Sequence, residues 1–237
     1  RGYQPNKDYQ KQVDEVVAFF QDASAYGKST AKEVNAAFAA MKGTFDGSQK
    51  VYVYADGERE IIDGISKVKA AGAKHVVLVG GYHAYKVTDF LKANNIPVLV
   101  QYTHNLPTFD DEDYDLPYKL PKLLSDAGLL VGIQNGDASN HQTRNLPFYA
   151  GQVVGQGMDK EKALQLITSN TAKILGIDDH YGTLAVGKSA TLFISEGDAL
   201  DMRGNQLSHA FIDGRNISLE THQTELWKRY SGKYDGK

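Results

Sequence analysis

The chain has no cysteine among its 237 residues. That excludes disulfides, thiolate metal sites and cysteine nucleophiles. It also fits an oxidising compartment, secreted or periplasmic, where free thiols are a liability, without fixing the localisation. Long apolar runs are missing as well: no stretch approaches the roughly 20 residues needed to span a bilayer, and no signal peptide is visible. Charge of one sign is missing too. The net charge of -3 arises from 26 basic and 29 acidic residues scattered along the sequence. Such a balance gives no broad field for nucleic acid or an anionic membrane surface, so neither is expected as a partner.

What is present is enough for a sizeable core. With 41% hydrophobic and 23% charged residues, the chain is expected to form one large domain or a domain with a small appendage. It opens on Arg1 rather than a methionine, from which a processed product or an excerpt is expected.

Two helices lead the chain. Val13, Val16, Val17 and Phe20 recur at helical spacing over residues 9–20. In the second helix, Thr30 and Glu33 form a capping-box pattern, Val34, Phe38 and Met41 form the stripe, and Gly43 is the expected stop. A longer rhythm follows. Apolar strands are read at 51–55, 75–79, 97–101 and 129–134, each of the first three followed by a helix, with stripes at Ile61, Ile62, Ile65 and Val68, then Val87, Phe90 and Leu91, then Leu120, Leu123 and Leu124. Strands apolar on both faces that alternate with helices indicate a parallel sheet covered by helices, built from right-handed βαβ units. Residues 145–157 and 160–175 read as helices, the second one continuous. From Tyr181 the pattern turns to short alternating strands punctuated by Gly182, Gly187, Gly197 and Gly214. A terminal helix carries Leu226, Trp227 and Tyr230. The expected division is a half-barrel region with its leading helices over 1–178, a β-sandwich appendage over 179–220, and the terminal helix and tail over 221–237.

Four motifs have both a chemical and a structural reading. GTLAVGKS, residues 182–189, satisfies the phosphate-loop pattern. That loop requires a helix after it, whereas ATLFIS reads as a strand, so a β-turn with an exposed lysine is expected. Gly80-Gly81 lies between a strand and a helix, where a tight turn needs permissive backbone angles. None of the seven histidines forms an HxH or HExxH pair. His83, His104, Asp137 and His141 nevertheless fall just after predicted strands, at the end of a parallel barrel where active sites are built. They form a candidate rim, against the plainer reading of surface or hydrogen-bonded histidines. The acidic run FDDEDYD, residues 109–115, lacks the glycine and glutamate placement of a calcium loop and is read as solvated.

The block RNLPFYAGQVVGQGMDKEKALQLITSNTAKILGI, followed by YGTLAVGKSATLFISEGDAL and AFIDGRNI, resembles the carboxyl-terminal region of amidohydrolases of the imidazolonepropionase-like group. NNIPVLV, GGYHAY and VYVYADGE extend the resemblance upstream. The resemblance implies the carboxyl-terminal half of a TIM-like (β/α)8 barrel, its four βα units being the fifth to eighth, with a small β-sandwich appendage. It also implies an HxH after the first strand and a lysine on the fourth, neither within these units. Tyr54 and Gly80 stand where metal-dependent members carry ligating histidines on the fifth and sixth strands, and Asp137 is the nearest match to the eighth-strand aspartate that acts as metal ligand and general base.

Two functions stay open on these residues. One is a hydrolase of C–N bonds other than peptide bonds, inactive as this fragment, with Asp137 as base and His83, His104, His141 and Tyr54 holding a small-molecule substrate. No cofactor is then expected in the fragment, and zinc or another divalent metal in a full-length parent. The other is a metal-free pseudoenzyme whose barrel mouth binds a ligand or partner. A doubly wound domain with a nucleotide at its switch point is a third, weaker reading, since no GxGxxG turn is present. Four parallel strands do not close a barrel, so self-association through the open sheet edges is expected.

Overall fold

A computed structural model describes residues 7–30, 34–136 and 140–234, with only the backbone of Asn140 and His141. The leading helix α1 (Tyr9–Lys28) buries Phe20, which meets Phe45 edge-on at 6.3 Å. The second predicted helix is two short ones, α2 (Ala36–Ala40) and α3 (Lys42–Asp46). Its cap is Asn35 rather than Thr30, because the Asn35 side chain accepts from the Phe38 N–H at 3.1 Å, and Glu33 lies outside the described residues. Val34 is 84% exposed and leaves the stripe to Phe38, which packs against Phe19 and Tyr26. Gly43 does not stop the helix. It lies buried inside α3, where a Cβ would stand 2.5 Å from the Gln49 side chain, and the stop falls at Gly47 in the left-handed region.

The alternating segments fold as the rhythm predicts. Strands β1 (Lys50–Ala55), β2 (His75–Gly80), β3 (Val98–Val100) and β4 (Val131–Ile133) form one parallel sheet in sequence order. Between them run α4 (Glu58–Ala70), α5 (Thr88–Ala93) and α6 (Leu116–Asp126), and after them α7 (Leu146–Gly155), α8 (Lys160–Ile167) and α9 (Ser169–Leu175). This is four βα units of a TIM-like half-barrel, with β1 and β4 as its edges.

Strand side chains alternate between faces, and each face finds its own cover. On the outer face Val76, Leu78, Val98, Val100, Val131 and Ile133 join one core with Ile61 and Ile65 of α4, Leu91 of α5, Leu120 and Leu124 of α6, Val153 of α7 and Leu166 of α8. Full burial of each such side chain contributes about 1.5–3 kcal/mol. On the inner face Val77 and Leu99 meet Ile174 of α9.

That inner contact exists because residues 160–175 are not one helix. The chain breaks at Thr168 (φ -127°, ψ -96°), where the Thr168 hydroxyl donates to the Leu164 carbonyl at 2.7 Å and the Thr171 hydroxyl to Leu166 at 2.7 Å. Hydroxyls that bond local carbonyls compete with the helical ladder and bend it. The turned helix α9 is then fastened at both ends. Asn170 Nδ2 donates to the Val131 carbonyl at 3.0 Å. Lys50 Nζ, at the start of β1, donates to the carbonyls of Lys173 and Ile174 at 2.9 and 2.7 Å. A cation on the last carbonyls of a helix satisfies acceptors that have no partner within it and complements the helix dipole.

Past α9 the chain forms a second, antiparallel sheet of β5 (Leu192–Ser195), β6 (Leu207–Ile212) and β7 (Arg215–Asn216), then α10 (His222–Tyr234). The GTLAVGKS segment is a turn with β5 after it and no helix, as expected. Its lysine is not free in solvent: Lys188 Nζ donates to the Asp178 carbonyl at 2.6 Å. Adjacent Phe193 and Ile194 point to opposite faces and are 45% and 47% exposed, so neither face of this small sheet is fully covered. No described helix is long and apolar enough to cross a membrane.

The seat of α9 depends on Gly132, where a Cβ would stand 2.7 Å from Thr171 Oγ1 and 2.9 Å from Leu99 Cδ2. Gly132→Val is expected to lower stability by about 1–3 kcal/mol, the usual cost of overpacking, read as a fall in the urea midpoint. Gly155→Ala, whose added methyl meets nothing within 4 Å, is the control and leaves the midpoint unchanged or higher. Equal midpoints for both variants would show that α9 does not rest on β4 in this way.

Candidate functional site

The carboxyl ends of β1 to β4 open on one side of the sheet, and polar side chains gather there. Directly after β1 comes Asp56. Its Oδ1 accepts from the Tyr82 N–H at 3.1 Å, and its carbonyl accepts from the His83 N–H at 2.9 Å. The turn 80–83 after β2 is thereby hung on the end of β1. Gly80 and Gly81 both have positive φ, +87° and +68°. The tight-turn reading of this pair holds: the Gly81 N–H already donates to the Ala55 carbonyl at 2.9 Å. A Cβ at Gly80 would stand only 2.6 Å from Asp56 Oδ1. The cavity beside it, about 20 Å³ and lined by Asp56, Gly80, Tyr82, Gln101 and Asn105 among others, has room for about one water.

Tyr54 and Gln101 lie on the inner face, two residues beyond Tyr52 and Leu99, and the Gln101 amide donates to the Tyr54 hydroxyl. Tyr54 is 56% exposed, so its ring borders the open side of the sheet. At the end of β4, Gln134 Oε1 accepts from the Gly136 N–H at 2.6 Å, and Asn135 Nδ2 donates to the Thr143 hydroxyl at 3.1 Å. Gln134 Nε2 and Asn135 Oδ1 are buried with no partner among the described residues. Asp137, the expected base, and the side chain of His141 lie outside the described residues.

His83 and His104 are brought to the same end of the sheet but not to each other. The His83 ring stacks on Phe109 at 5.7 Å and lines a cleft of about 460 Å³ with Tyr85, Lys86 and Lys119. Its Nε2 is 2.7 Å from Glu112 Oε1. His104 meets Tyr149 of α7 edge-on at 4.9 Å and lines a different cleft of about 350 Å³ with Gly151, Gln152 and Leu200. Loss of solvent around its ring lowers its pKa, against a hydrogen bond with the Phe148 backbone that raises it.

Glu112 departs from the solvated loop expected of residues 109–115. Asp110, Asp111, Asp113 and Tyr114 are exposed, but the Glu112 side chain is only 10% exposed and turns inward. Oε2 accepts from the Tyr82 hydroxyl at 2.9 Å and from the N–H groups of Thr108 and Phe109 at 3.2 and 3.1 Å. Burial alone would raise the Glu112 pKa. The hydrogen bonds from His83, Tyr82 and Phe109 outweigh it and hold the carboxyl below its ordinary value. Burial raises the Tyr82 pKa, with Glu112 adding to the rise.

Asp56, Tyr82, Gln101, Glu112, Gln134 and Asn135 were not among the residues singled out by sequence. Position was the available signal for most of them, since Asp56, Gln101, Gln134 and Asn135 stand within a few residues after strands. Glu112 had none, being one of five acids in a loop.

Metal binding at these strand ends has to be judged on their donors. Among the described residues no three His, Asp or Glu side chains converge on one point. Tyr54 is held by Gln101, and the room for a side chain at position 80 is taken by the Asp56 carboxylate. The described donors do not fit a divalent cation here.

Residues 125–220 match the amidohydrolase family. No curated protein matches the chain. Among solved structures, an amidohydrolase from Thermotoga maritima MSB8 superposes with a TM-score of 0.74 at 21% identity, covering 92% of this chain and 61% of that one. A Xaa-Pro dipeptidase with methionine bound in its active site gives 0.55 at 20% identity, covering 77% and 47%. An adenosine deaminase from Xanthomonas campestris with bound zinc gives 0.52 at 16%, covering 85% and 54%. These likenesses show the fold. The chain spans 61% or less of the length of each of these three structures.

The Glu112 network is expected to have a two-sided pH dependence. A carboxyl with a depressed folded pKa contributes stability above its unfolded value that is lost as pH falls through the folded one. A phenol with a raised folded pKa contributes stability below its unfolded value that is lost as pH rises through the folded one. Thermal melts of Glu112→Ala should therefore differ most from the parent chain between the carboxylate and phenol ranges and converge with it at both extremes. A difference that is constant across pH would contradict these assignments.

Proposed function

We propose, from a carboxyl-terminal segment of the amidohydrolase family and a half-barrel with that fold, that this chain is the carboxyl-terminal portion of an amidohydrolase-like hydrolase. In this reading the group is imidazolonepropionase-like, and the reaction is hydrolysis of C–N bonds other than peptide bonds in a small molecule. The observation that carries the reading is the amidohydrolase match over residues 125–220 in a chain whose polar side chains gather at the carboxyl ends of parallel strands.

Hydrolysis of a C–N bond needs a base for the attacking water and a proton for the departing nitrogen. Asp137, following the fourth strand, takes the water's proton and returns it to the departing nitrogen. Tyr54, His83, His104 and His141 hold substrate around the mouth. Zinc or another divalent metal belongs to the full-length parent, where it would need donors other than Tyr54 and Gly80. This chain alone is inactive, because it carries four strands of an eight-strand site.

A second reading is favoured by one observation. The Asp56 carboxylate fills the space at Gly80, which suits a metal-free barrel mouth that binds a ligand or partner without turning it over. Elemental analysis of the full-length parent after loading with zinc or manganese separates the two: stoichiometric metal supports the hydrolase, and none supports the binding module. If the parent hydrolyses such substrates, Asp137→Asn should lower kcat by about 100-fold or more, the usual contribution of a positioned base. Retained turnover would remove Asp137 from that role.

The same half-barrel leaves β1 and β4 as edges with parallel strand direction. A two-fold axis along the barrel would set β4 of one copy beside β1 of the next and pair both edges at once. Sedimentation at tens of micromolar should show a dimer of this chain, whereas a monodisperse monomer would end the pairing idea.

A further inference from the structure

Residues 101–115 are the long connection of the half-barrel, joining β3 to α6. Connections of this length without regular structure are uncommon in compact domains and are often functional. This one is fastened to the turn after β2 through a single side chain. Glu112 reaches back to the Tyr82 hydroxyl and the His83 ring, while its Oε2 also gathers the N–H groups of Thr108 and Phe109 from its own loop. The Thr108 N–H also donates to the Tyr82 hydroxyl at 3.2 Å, and the Phe109 ring stacks on His83 at an interplanar angle of 19°. Four donors thus converge on one carboxylate whose side chain, like that of His83, is nearly buried, at 10% and 14% exposure.

We propose that residues 101–115 form a strap closed over the end of β2 by Glu112, and that Glu112 is a positioning residue that fixes which nitrogen of His83 carries the proton. An ionised carboxylate only accepts hydrogen bonds, so Nε2 of a neutral His83 must carry the hydrogen. Nδ1 is then the ring's remaining acceptor, in a side chain that lines the cleft beside Lys86 and Phe109. The carboxylate is kept ionised by the donors around it. A neighbour that fixes the tautomer decides whether an imidazole offers a lone pair or an N–H to a ligand. The strap and the tautomer stand on this geometry alone; only the use of Nδ1 toward substrate rests on the barrel-mouth reading above.

The substitution Glu112→Gln separates the two roles. Three donors converge on Oε2 and one on Oε1, so the new carboxamide would keep its oxygen toward Tyr82, Thr108 and Phe109 and turn its NH2 group toward His83. Facing a donor, His83 must accept through Nε2 and move its proton to Nδ1. The experiment is amide hydrogen exchange and 15N imidazole NMR on the chain itself, for the parent sequence, Glu112→Gln, Glu112→Ala and, as a control, Asp113→Ala.

The parent chain should show the Nε2–H tautomer with Thr108 and Phe109 protected, and Asp113→Ala should match it. In Glu112→Gln the loop amides should stay within about threefold of the parent while His83 switches to Nδ1–H. In Glu112→Ala exchange at Thr108 and Phe109 should accelerate by about 10-fold or more, the loss expected when a buried acceptor is removed from two amides. Unchanged exchange in Glu112→Ala would overturn the strap, and an Nδ1–H tautomer in the parent chain would overturn the positioning role. If Glu112→Ala does not fold, the tautomer in Glu112→Gln still decides the second point, and protection of Thr108 and Phe109 relative to Asp110 and Asp111 in the parent decides the first. None of these readouts requires turnover, so they can fail or succeed independently of the hydrolase reading.

Discussion

A parallel sheet whose central strands are apolar on both sides must be covered on both sides, and most of this structure answers that demand. The outer face takes the ordinary solution of α/β folds, helices from each βα unit laid against Val76, Leu78, Val98 and Val100. The inner face of a half-barrel has no second half within these strands to fill it. Its amino-terminal part is covered instead by α9, through Ile174 against Val77 and Leu99. That solution needs a helix break at Thr168, a glycine at 132 to admit the helix, and Lys50 to close its end. Toward the carboxyl ends the cover stops, and the side chains change from aliphatic to Tyr54, Gln101 and Gln134.

This gradient from apolar floor to polar mouth makes the strand ends the place for chemistry. Their organisation is a chain of hydrogen bonds running from strand to strand. Asp56 after β1 holds the turn after β2, and Glu112 in the loop after β3 holds the same turn from the other side. Both carboxylates are occupied by N–H and O–H donors. Carboxylates used in this way fix loops relative to one another, because each lost donor leaves a buried acceptor at a cost of about 1–3 kcal/mol. The Asp56 and Glu112 carboxylates are satisfied within the chain, and the small cavity beside Gly80 has water-sized room. Among the described residues, the amide groups of Gln134 and Asn135 at the end of β4 keep one unpartnered polar atom each.

The fold was largely legible in the sequence because its signals are local. Continuous apolar strands of four to six residues alternating with 3.6-period stripes specify βα units whatever the distant context, and all four strands lie where that pattern puts them. Legibility failed where two local signals competed. The capping-box pattern put the cap at Thr30, and the Asn35 side chain, bonded to the Phe38 N–H, holds that place instead. Residues 160–175 have one unbroken stripe, yet two hydroxyls bonding backward divide the helix. The site was legible only in its location. His83 and His104 were identified by standing after predicted strands and Tyr54 through the family resemblance; all three lie at that end of the sheet, but His83 and His104 face separate clefts.

The sequence by itself determined the class of fold, the number of βα units, the strand-rich character of the segment after Tyr181, and the absence of thiol chemistry. Each of these follows from composition or from neighbours a few residues apart. Only the tertiary structure decided which polar groups pair. Asp56 with Tyr82, Glu112 with His83 and Lys50 with Ile174 are separated by 26, 29 and 124 residues. Such pairs form because the sheet brings strand ends within about 5 Å of one another, and no local pattern distinguishes Glu112 from the four aspartates beside it. The buried carboxylate gains four donors by turning inward, while Asp110 and Asp111 stay exposed and Asp113 and Asp115 pair with Lys119.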